Sequence, residues 1–327
     1  MRRREFIGLV GGVAATWPLA AGAQKNPIRL GFLASGAATS ANSAAQVDAI
    51  RQGLRDNGLM EGRDYLLEAR FAAGNYQRFP EMARELAQAG ARIILVATIA
   101  SVRAAQSLTP PVPVVMIAIN DPVGSGLVAS LSRPGGVTTG MATLNQDITP
   151  KMLEVQRELV PNCKAMAALF NPANPSNPVY VDKLRTIAGE SGIAVVPVEL
   201  RSPAALDDAF ASIAARRPDA LLIVADSGTL DAMDRIAAAA LAQKLPSFAS
   251  IPEYAQFGGV AGYGPAQRQL NMRAAYFVKR ILDGANPGEL PVEQPTRLDL
   301  VINLKTARAL DLSVPPALLA RADEVVE

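Results

Sequence analysis

The sequence predicts an α/β protein made of two doubly wound parallel-sheet lobes. Three observations carry this. Short β-branched apolar runs alternate with amphipathic helical stretches, the pattern of parallel βαβ units. The alternation starts afresh near Thr149 as a second set of similar size. Half of the 327 residues are apolar, enough to bury a large core in two lobes.

Each element has a local reason. Ile28–Ala34 reads as a buried strand and Ala44–Asn57 as a helix that Gly58 stops. Tyr65–Phe71 is a strand, Arg78–Ala89 a helix ending at Gly90, and Ile93–Ala97 a strand followed by a helix from about Ser101. Val112–Ile119 is apolar, bounded by Pro111 and the turn Asn120-Asp121-Pro122. A short helix is expected over Gly124–Leu131, stopped by Pro134-Gly135-Gly136, then a strand over Val137–Met141. The second set opens with a helix to Val160, with Thr149 as cap and Pro150 at its first position. Strands follow at Ala165–Phe170, Ala194–Val198, Ala220–Val224 and Ser247–Ser250. Helices fall between them, at about Val179–Ser191, Ala204–Ala215 and Leu230–Gln243. Val260–Tyr263, a helix Gln267–Leu282, a strand-like run Leu298–Asn303 and a Pro-rich helical tail complete the chain.

Residues 1–23 read as a cleavable signal peptide: a basic start, the apolar run Ile7–Ala21 and the small-x-small site Ala21-Gly22-Ala23. Arg3-Arg4-Glu5-Phe6-Ile7 resembles a twin-arginine signal, which places the mature protein, from Gln24, in the periplasm. Removal of Arg2, Arg3, Arg4 and Glu5 takes 32 basic and 30 acidic residues to 29 of each. A net charge near zero gives no electrostatic reason to expect nucleic acid or an anionic membrane as partner. Cys163 is the only cysteine, so no intrachain disulfide can form. The chain has no His, which removes Ser-His-Asp, Cys-His and His-ligated metal sites. Gly124-Ser125-Gly126-Leu127-Val128-Ala129 fits the loose dinucleotide pattern, but the Asn120–Val123 turn separates it from the preceding strand. Carboxylate, Lys, Tyr or cofactor chemistry stays formally open, but no catalytic residue, cofactor or metal is expected.

In open α/β sheets, ligands sit beyond the carboxyl ends of the strands, where helix N-termini present N–H groups. Ser35, Thr98 and Ser101, with Asn120 and Asp121, occupy those places in the first half; Asn171, Asn174 and Asp226 do so in the second. Each type also has a structural use: Ser101 and Thr229 suit helix caps, and Asn120-Asp121-Pro122 and Asn171-Pro172 suit turns. For the set, at corresponding strand ends in both lobes, a cleft is the better explanation. First-lobe hydroxyls and helix ends would hold a carboxylate, and Asp226 would pair with an ammonium.

Several stretches are similar to one family. They are the signal, Gln52-Gly53-Leu54-Arg55-Asp56-Asn57-Gly58 with Glu61-Gly62, Asp121-Pro122-Val123-Gly124-Ser125-Gly126-Leu127-Val128, and Leu169-Phe170-Asn171-Pro172. Pro252-Glu253-Tyr254 and Arg321-Ala322-Asp323-Glu324-Val325 belong with them. The chain resembles the ABC-transporter substrate-binding proteins labelled tryptophan/tyrosine-type. The resemblance implies a type I periplasmic binding protein, with two α/β lobes, a crossing hinge and a ligand between them. A monomer and a small amino-acid-like or carboxylate ligand are expected. It also implies a membrane permease and ATPase encoded elsewhere. With Tyr263-Gly264-Pro265 before a fresh helix, it implies lobes built from 27–144 with 261–288 and from 145–260 with 289–327. Two departures stand out. The third-strand loop reads Ala97-Thr98 where the family often has Gly-Thr, and the only Trp, Trp17, lies in the signal. Tyr254, Phe257 and Tyr263 are then the aromatic candidates near the return crossing, with Tyr263 as an apolar cover or as hinge packing. A ligand-binding sensory receptor and an exported Rossmann-like enzyme are the alternatives in function.

Overall fold

The computed structural model describes residues 26–143 and 145–327. The signal sequence, its twin-arginine core and the cleavage site lie outside the described residues.

The first lobe is built on a five-stranded parallel sheet. Its strands are β1 Ile28–Ala34, β2 Tyr65–Phe71, β3 Ala91–Val96, β4 Val114–Asn120 and β5 Thr138–Thr143. They lie in the order β2-β1-β3-β4-β5. Helices α1 Ala41–Asp56, α2 Phe79–Gln88 and α3 Ile99–Gln106 connect them. Alternation along each strand supplies two cores. Ile94 and Val96 pack with α2 and α3, whereas Ile93 and Leu95 face the opposite cluster with Ile50 and Leu54 of α1. Burial on both faces is why the central strands β1, β3 and β4 are nearly continuous apolar runs.

The second lobe begins with α4 Asn145–Leu159, β6 Ala165–Phe170, α5 Ser176–Glu190, β7 Ala194–Glu199 and α6 Leu206–Arg216. It continues through β8 Ala220–Ile223, α7 Ser227–Leu230, α8 Met233–Ala242, β9 Ser247–Ala249 and β10 Ala261–Gly264. After α9 Gln267–Leu282 come β11 Asp299–Asn303, α10 Leu304–Ala309, α11 Pro316–Leu319 and β12 Glu324–Val326. The seven strands run β12-β11-β10-β9-β8-β6-β7, parallel except for the β10–β11 pair.

Several expectations need correction. Over 124–131 the chain forms successive turns, not a helix: Ser125 N donates to Asp121 O, Gly126 N to Val123 O and Leu127 N to Pro122 O. The loose dinucleotide pattern therefore does not open a helix. Helix α4 starts at Asn145, so Pro150 lies inside it, and the Thr149 hydroxyl bonds Tyr180 Oη (3.0 Å) rather than capping. The tail, read as helical, ends in β12, which pairs with β11.

The lobe boundaries also shift. Strand β10 pairs with β9 and β11, so residues 261–264 belong to the second sheet and the chain crosses at Pro265-Ala266. Helix α9 then packs on α1, with Leu270, Ala274, Phe277 and Val278 in the first-lobe core. The chain stays on that lobe past residue 288. Leu290 O accepts from Thr139 Oγ1 (2.8 Å), Glu293 N donates to Gly140 O (2.9 Å) and Ala142 N to Glu293 O (2.8 Å). The last crossing thus falls between Glu293 and Asp299. So short a ladder has no periodicity to announce it.

Helices α1 and α9 touch at Gly53, where an added Cβ would sit inside the contact radius of the Met272 backbone oxygen and Cα. Gly53→Ala gains about 1 kcal/mol of helix propensity. Overpacking against a backbone that cannot rotate away costs about 1–3 kcal/mol and wins. Denaturant unfolding should therefore show a net loss of stability. A variant as stable as the parent would mean that the two helices are not pressed together.

Candidate functional site

A cavity of about 120 Å³ lies between the lobes at the carboxyl ends of the strands. Ser35, Thr98, Asn120 and Thr143 line it from the first lobe. Asn174, Asn177, Tyr180, Asp226 and Ser250 line it from the second, and Gln267 and Asn271 come from α9 at the crossing. Ile117, Ile119, Leu230 and Ile251 supply apolar surface. No Lys or Arg is among these described lining residues.

Asp226 organises the second-lobe wall. It follows β8 and is 5% exposed. Its Oδ1 accepts from Asn171 Nδ2 (2.8 Å) and Gly228 N (3.0 Å). Its Oδ2 accepts from Asn174 Nδ2 (2.9 Å) and from Tyr76 Oη. Four donors fill the roughly four lone-pair sites of a carboxylate, which is how a buried charge without a cation is tolerated. The expectation that Asp226 pairs directly with a ligand ammonium has to change: its acceptor sites are occupied. Asn171 is a supporting group, since its Oδ1 accepts from Ala173 N (3.0 Å) and its amide holds Asp226 without lining the cavity.

On the opposite wall, Thr98 is the N-cap of α3 and Ser101 its partner. Thr98 Oγ1 accepts from Ser101 N (3.1 Å), and Thr98 N donates to Ser101 Oγ (3.1 Å). Ser101 is fully buried behind Thr98 and caps the helix; it does not reach the cavity. Asn120 reaches it from the end of β4. There Ala118 (φ 55°) and Asp121 (φ 45°) take left-handed backbone, and the β4–β5 register shifts between Met116 and Ile119. Such conformations in residues other than Gly cost of order 1–3 kcal/mol and gather at binding sites. Asp121 itself turns away. Its Oδ1 accepts from Gly124 N (2.9 Å), and its Oδ2 lies 3.9 Å from Lys183 Nζ of the second lobe.

None of the expected aromatic residues lines the cavity. Tyr263 packs against the second-lobe core because β10 belongs to that sheet. Tyr254 is buried with its hydroxyl on Ser247 Oγ (2.8 Å), and Phe257 is exposed at 51%. Among the described lining residues the one ring is that of Tyr180, whose hydroxyl burial pushes up in pKa; it lies near Thr149 Oγ1 and Ser250 Oγ. Ser35, Thr98, Asn120, Asn174 and Asp226 thus come together, and Ser101, Asp121, Asn171 and Tyr263 do not. Asn177, Gln46, Gln267 and Asn271 are lining residues the sequence reading missed. For Asn177 a signal existed, since it continues the run Asn171-Pro172-Ala173-Asn174-Pro175 into a helix start.

The lobes lie closed over the cavity. Besides Tyr76–Asp226, Asp231 of the second lobe accepts from Ala37 N (3.1 Å), Ser40 Oγ (2.8 Å) and Asn42 Nδ2 (3.2 Å) of the first. At the crossing, Glu253 Oε1 accepts from Gln267 N (2.8 Å) and so caps α9 from the other lobe. Burial pushes the Glu253 carboxyl above its ordinary value of 4.5, outweighing the backbone N–H bonds that lower it. A carboxyl raised on folding adds stability below its unfolded pKa and loses that contribution as pH rises through the folded one. Glu253→Gln keeps the acceptor for Gln267 and removes the charge. Its melting temperature should gain on the wild type as pH rises from 4.5 to about 8. A difference independent of pH would show that burial of the charge is not what matters.

Comparison with known proteins agrees with this architecture. The tyrosine-binding protein of Clostridioides difficile (strain R20291) is 26% identical over 259 residues, 79% of this chain and 74% of that one. A conserved domain protein from Vibrio cholerae superposes with a TM-score of 0.83 at 27% identity, over 92% of this chain and 100% of that one. The structure of an ABC domain in complex with L-Trp from Streptococcus pneumoniae gives 0.81 at 23% identity, again over 92% and 100%. The model of the ABC transporter substrate binding protein family matches residues 39–326. With two α/β lobes closed on a polar cavity, this chain belongs to the ABC transporter substrate binding protein family.

Proposed function

We propose that this protein is the periplasmic solute receptor of an ABC importer, capturing a small amino-acid-like or carboxylate solute and presenting it to a membrane permease. The observation that supports this most is the cavity itself, enclosed by both lobes and lined by hydroxyls and amides around one organised carboxylate. Walls from two lobes give the closed form contacts to the solute that the open form cannot make, which is what allows binding to drive closure. The names of the similar proteins make L-tyrosine and L-tryptophan the first solutes to try. The aliphatic lining adds L-leucine.

Native mass spectrometry of protein purified without denaturation tests this. A bound mass matching an amino acid or small carboxylate is expected; a bound nucleotide would overturn the reading. Export is proposed through the twin-arginine signal, with cleavage after Ala23. N-terminal sequencing of periplasmic protein should begin at Gln24, and a start at Met1 would refute cleavage.

A further inference from the structure

We propose that the ligand's carboxylate is received on the second lobe, at the N-terminus of α5, by the Asn177 side chain. This rests on the reading of the cavity as an amino-acid site and reverses the polarity expected from the sequence, which placed the carboxylate on first-lobe hydroxyls.

Hydrogen-bond accounting carries it. Asn177 is 3% exposed and lines the cavity, and its Nδ2 has no partner among the described groups. Helix α5 runs for 15 residues from Ser176, and its N-cap, Pro175, offers no side-chain acceptor. Asn174 takes the first backbone donors: its Oδ1 accepts from Ser176 N (3.2 Å) and its O from Asn177 N (3.0 Å). Pro178 has no N–H. The hydroxyl of Ser176 is turned to Asn174 Oδ1 (2.6 Å). What remains at this helix end is a positive dipole and one buried amide donor facing the cavity.

Three side chains that the sequence put forward for the ligand's charges are already engaged. The hydroxyls of Thr98 and Ser101 bond each other and their own helix end. The Asp226 carboxylate has four donors, so it neither needs a ligand cation nor presents a bare charge to a ligand anion. A buried donor left unmade is costly, and an anionic acceptor at a helix N-terminus repairs it best. The α-ammonium of an amino acid, one carbon away, then lies in the field of Asp226 without displacing any of its partners.

The test uses L-tyrosine, L-tryptophan and L-leucine, each beside its carboxamide, with calorimetry on wild type, Asn177→Asp and Asn177→Leu. Wild type should prefer each acid that binds over its carboxamide. Asn177→Asp replaces the donor by an anion, so acid affinity should fall about tenfold or more and the preference should invert toward the carboxamide. An unchanged acid-to-carboxamide ratio in a variant that melts like the wild type overturns the proposal. Should Asn177→Asp not fold, Asn177→Leu must lose the acid by a similar factor, and retained acid affinity overturns the proposal equally. If wild type binds none of the three acids or carboxamides, the amino-acid reading itself falls and this inference falls with it.

Discussion

Replacing Asp226 by Ala should weaken ligand capture and destabilise the second lobe together. The substitution leaves the amides of Asn171 and Asn174, the Tyr76 hydroxyl and Gly228 N without their acceptor. Each buried donor left unmade costs about 1–3 kcal/mol, reduced where cavity water can replace the carboxylate. A stability loss of about 3 kcal/mol is expected in denaturant unfolding, and an affinity loss on the order of 2–5 kcal/mol in calorimetry. Asp226→Asn should do almost as badly, since its amide turns a donor toward donors. Tyr76→Phe removes one of the bonds between the lobes and should cost about 1 kcal/mol of affinity. A folded Asp226→Ala protein with wild-type affinity would show that this network does not shape the cavity.

Asp231→Ala should weaken binding of every ligand by one common factor. Asp231 does not line the cavity, but it holds Ala37 N, Ser40 and Asn42 across the cleft. The approach is close enough that a Cβ on Gly36 would lie 3.0 Å from Asp231 Oδ2. These bonds exist only when the lobes are shut. Losing them shifts the free protein toward the open form, and the apparent dissociation constant rises by the inverse of the closed fraction. Three hydrogen bonds to a half-buried carboxylate, discounted for solvent, correspond to about 1–3 kcal/mol, or roughly 5- to 150-fold. The ratio of affinities for any two ligands should stay as in the wild type, and small-angle scattering of the ligand-free variant should show a larger radius. A changed ratio would place Asp231 in ligand recognition; unchanged affinity and radius would mean the contact carries no closing energy.

The two halves of the chain were legible because burial writes itself into local pattern. Strands buried on both faces must be largely apolar, so Ile28–Ala34, buried from Leu30 on, and Ala165–Phe170 stand out without any knowledge of their neighbours. The strand-end polar residues were legible for the same reason, since Ser35, Thr98, Asn174 and Asp226 each interrupt or follow an apolar run. Residues 124–131 read as a helix in sequence but form turns, because successive turns and a short helix share spacing. The early start of α4 was hidden by Pro150, which suits a first helical turn and here lies inside the helix. Tyr76, 150 residues from Asp226, had no local signal at all.

The sequence by itself determined the α/β class, the two repeated sets of elements and most of the strand ends where polar groups gather. Periodicity and punctuation are properties of neighbouring residues, and neighbours are what a sequence shows. Only the tertiary structure decided which lobe owns β10 and residues 289–293, and which candidates face the cavity. It also decided that Asp226 is already filled while Asn177 is not. Those outcomes depend on which donors meet which acceptors across tens to hundreds of residues, and a hydrogen bond between distant groups leaves no trace in the spacing of either one.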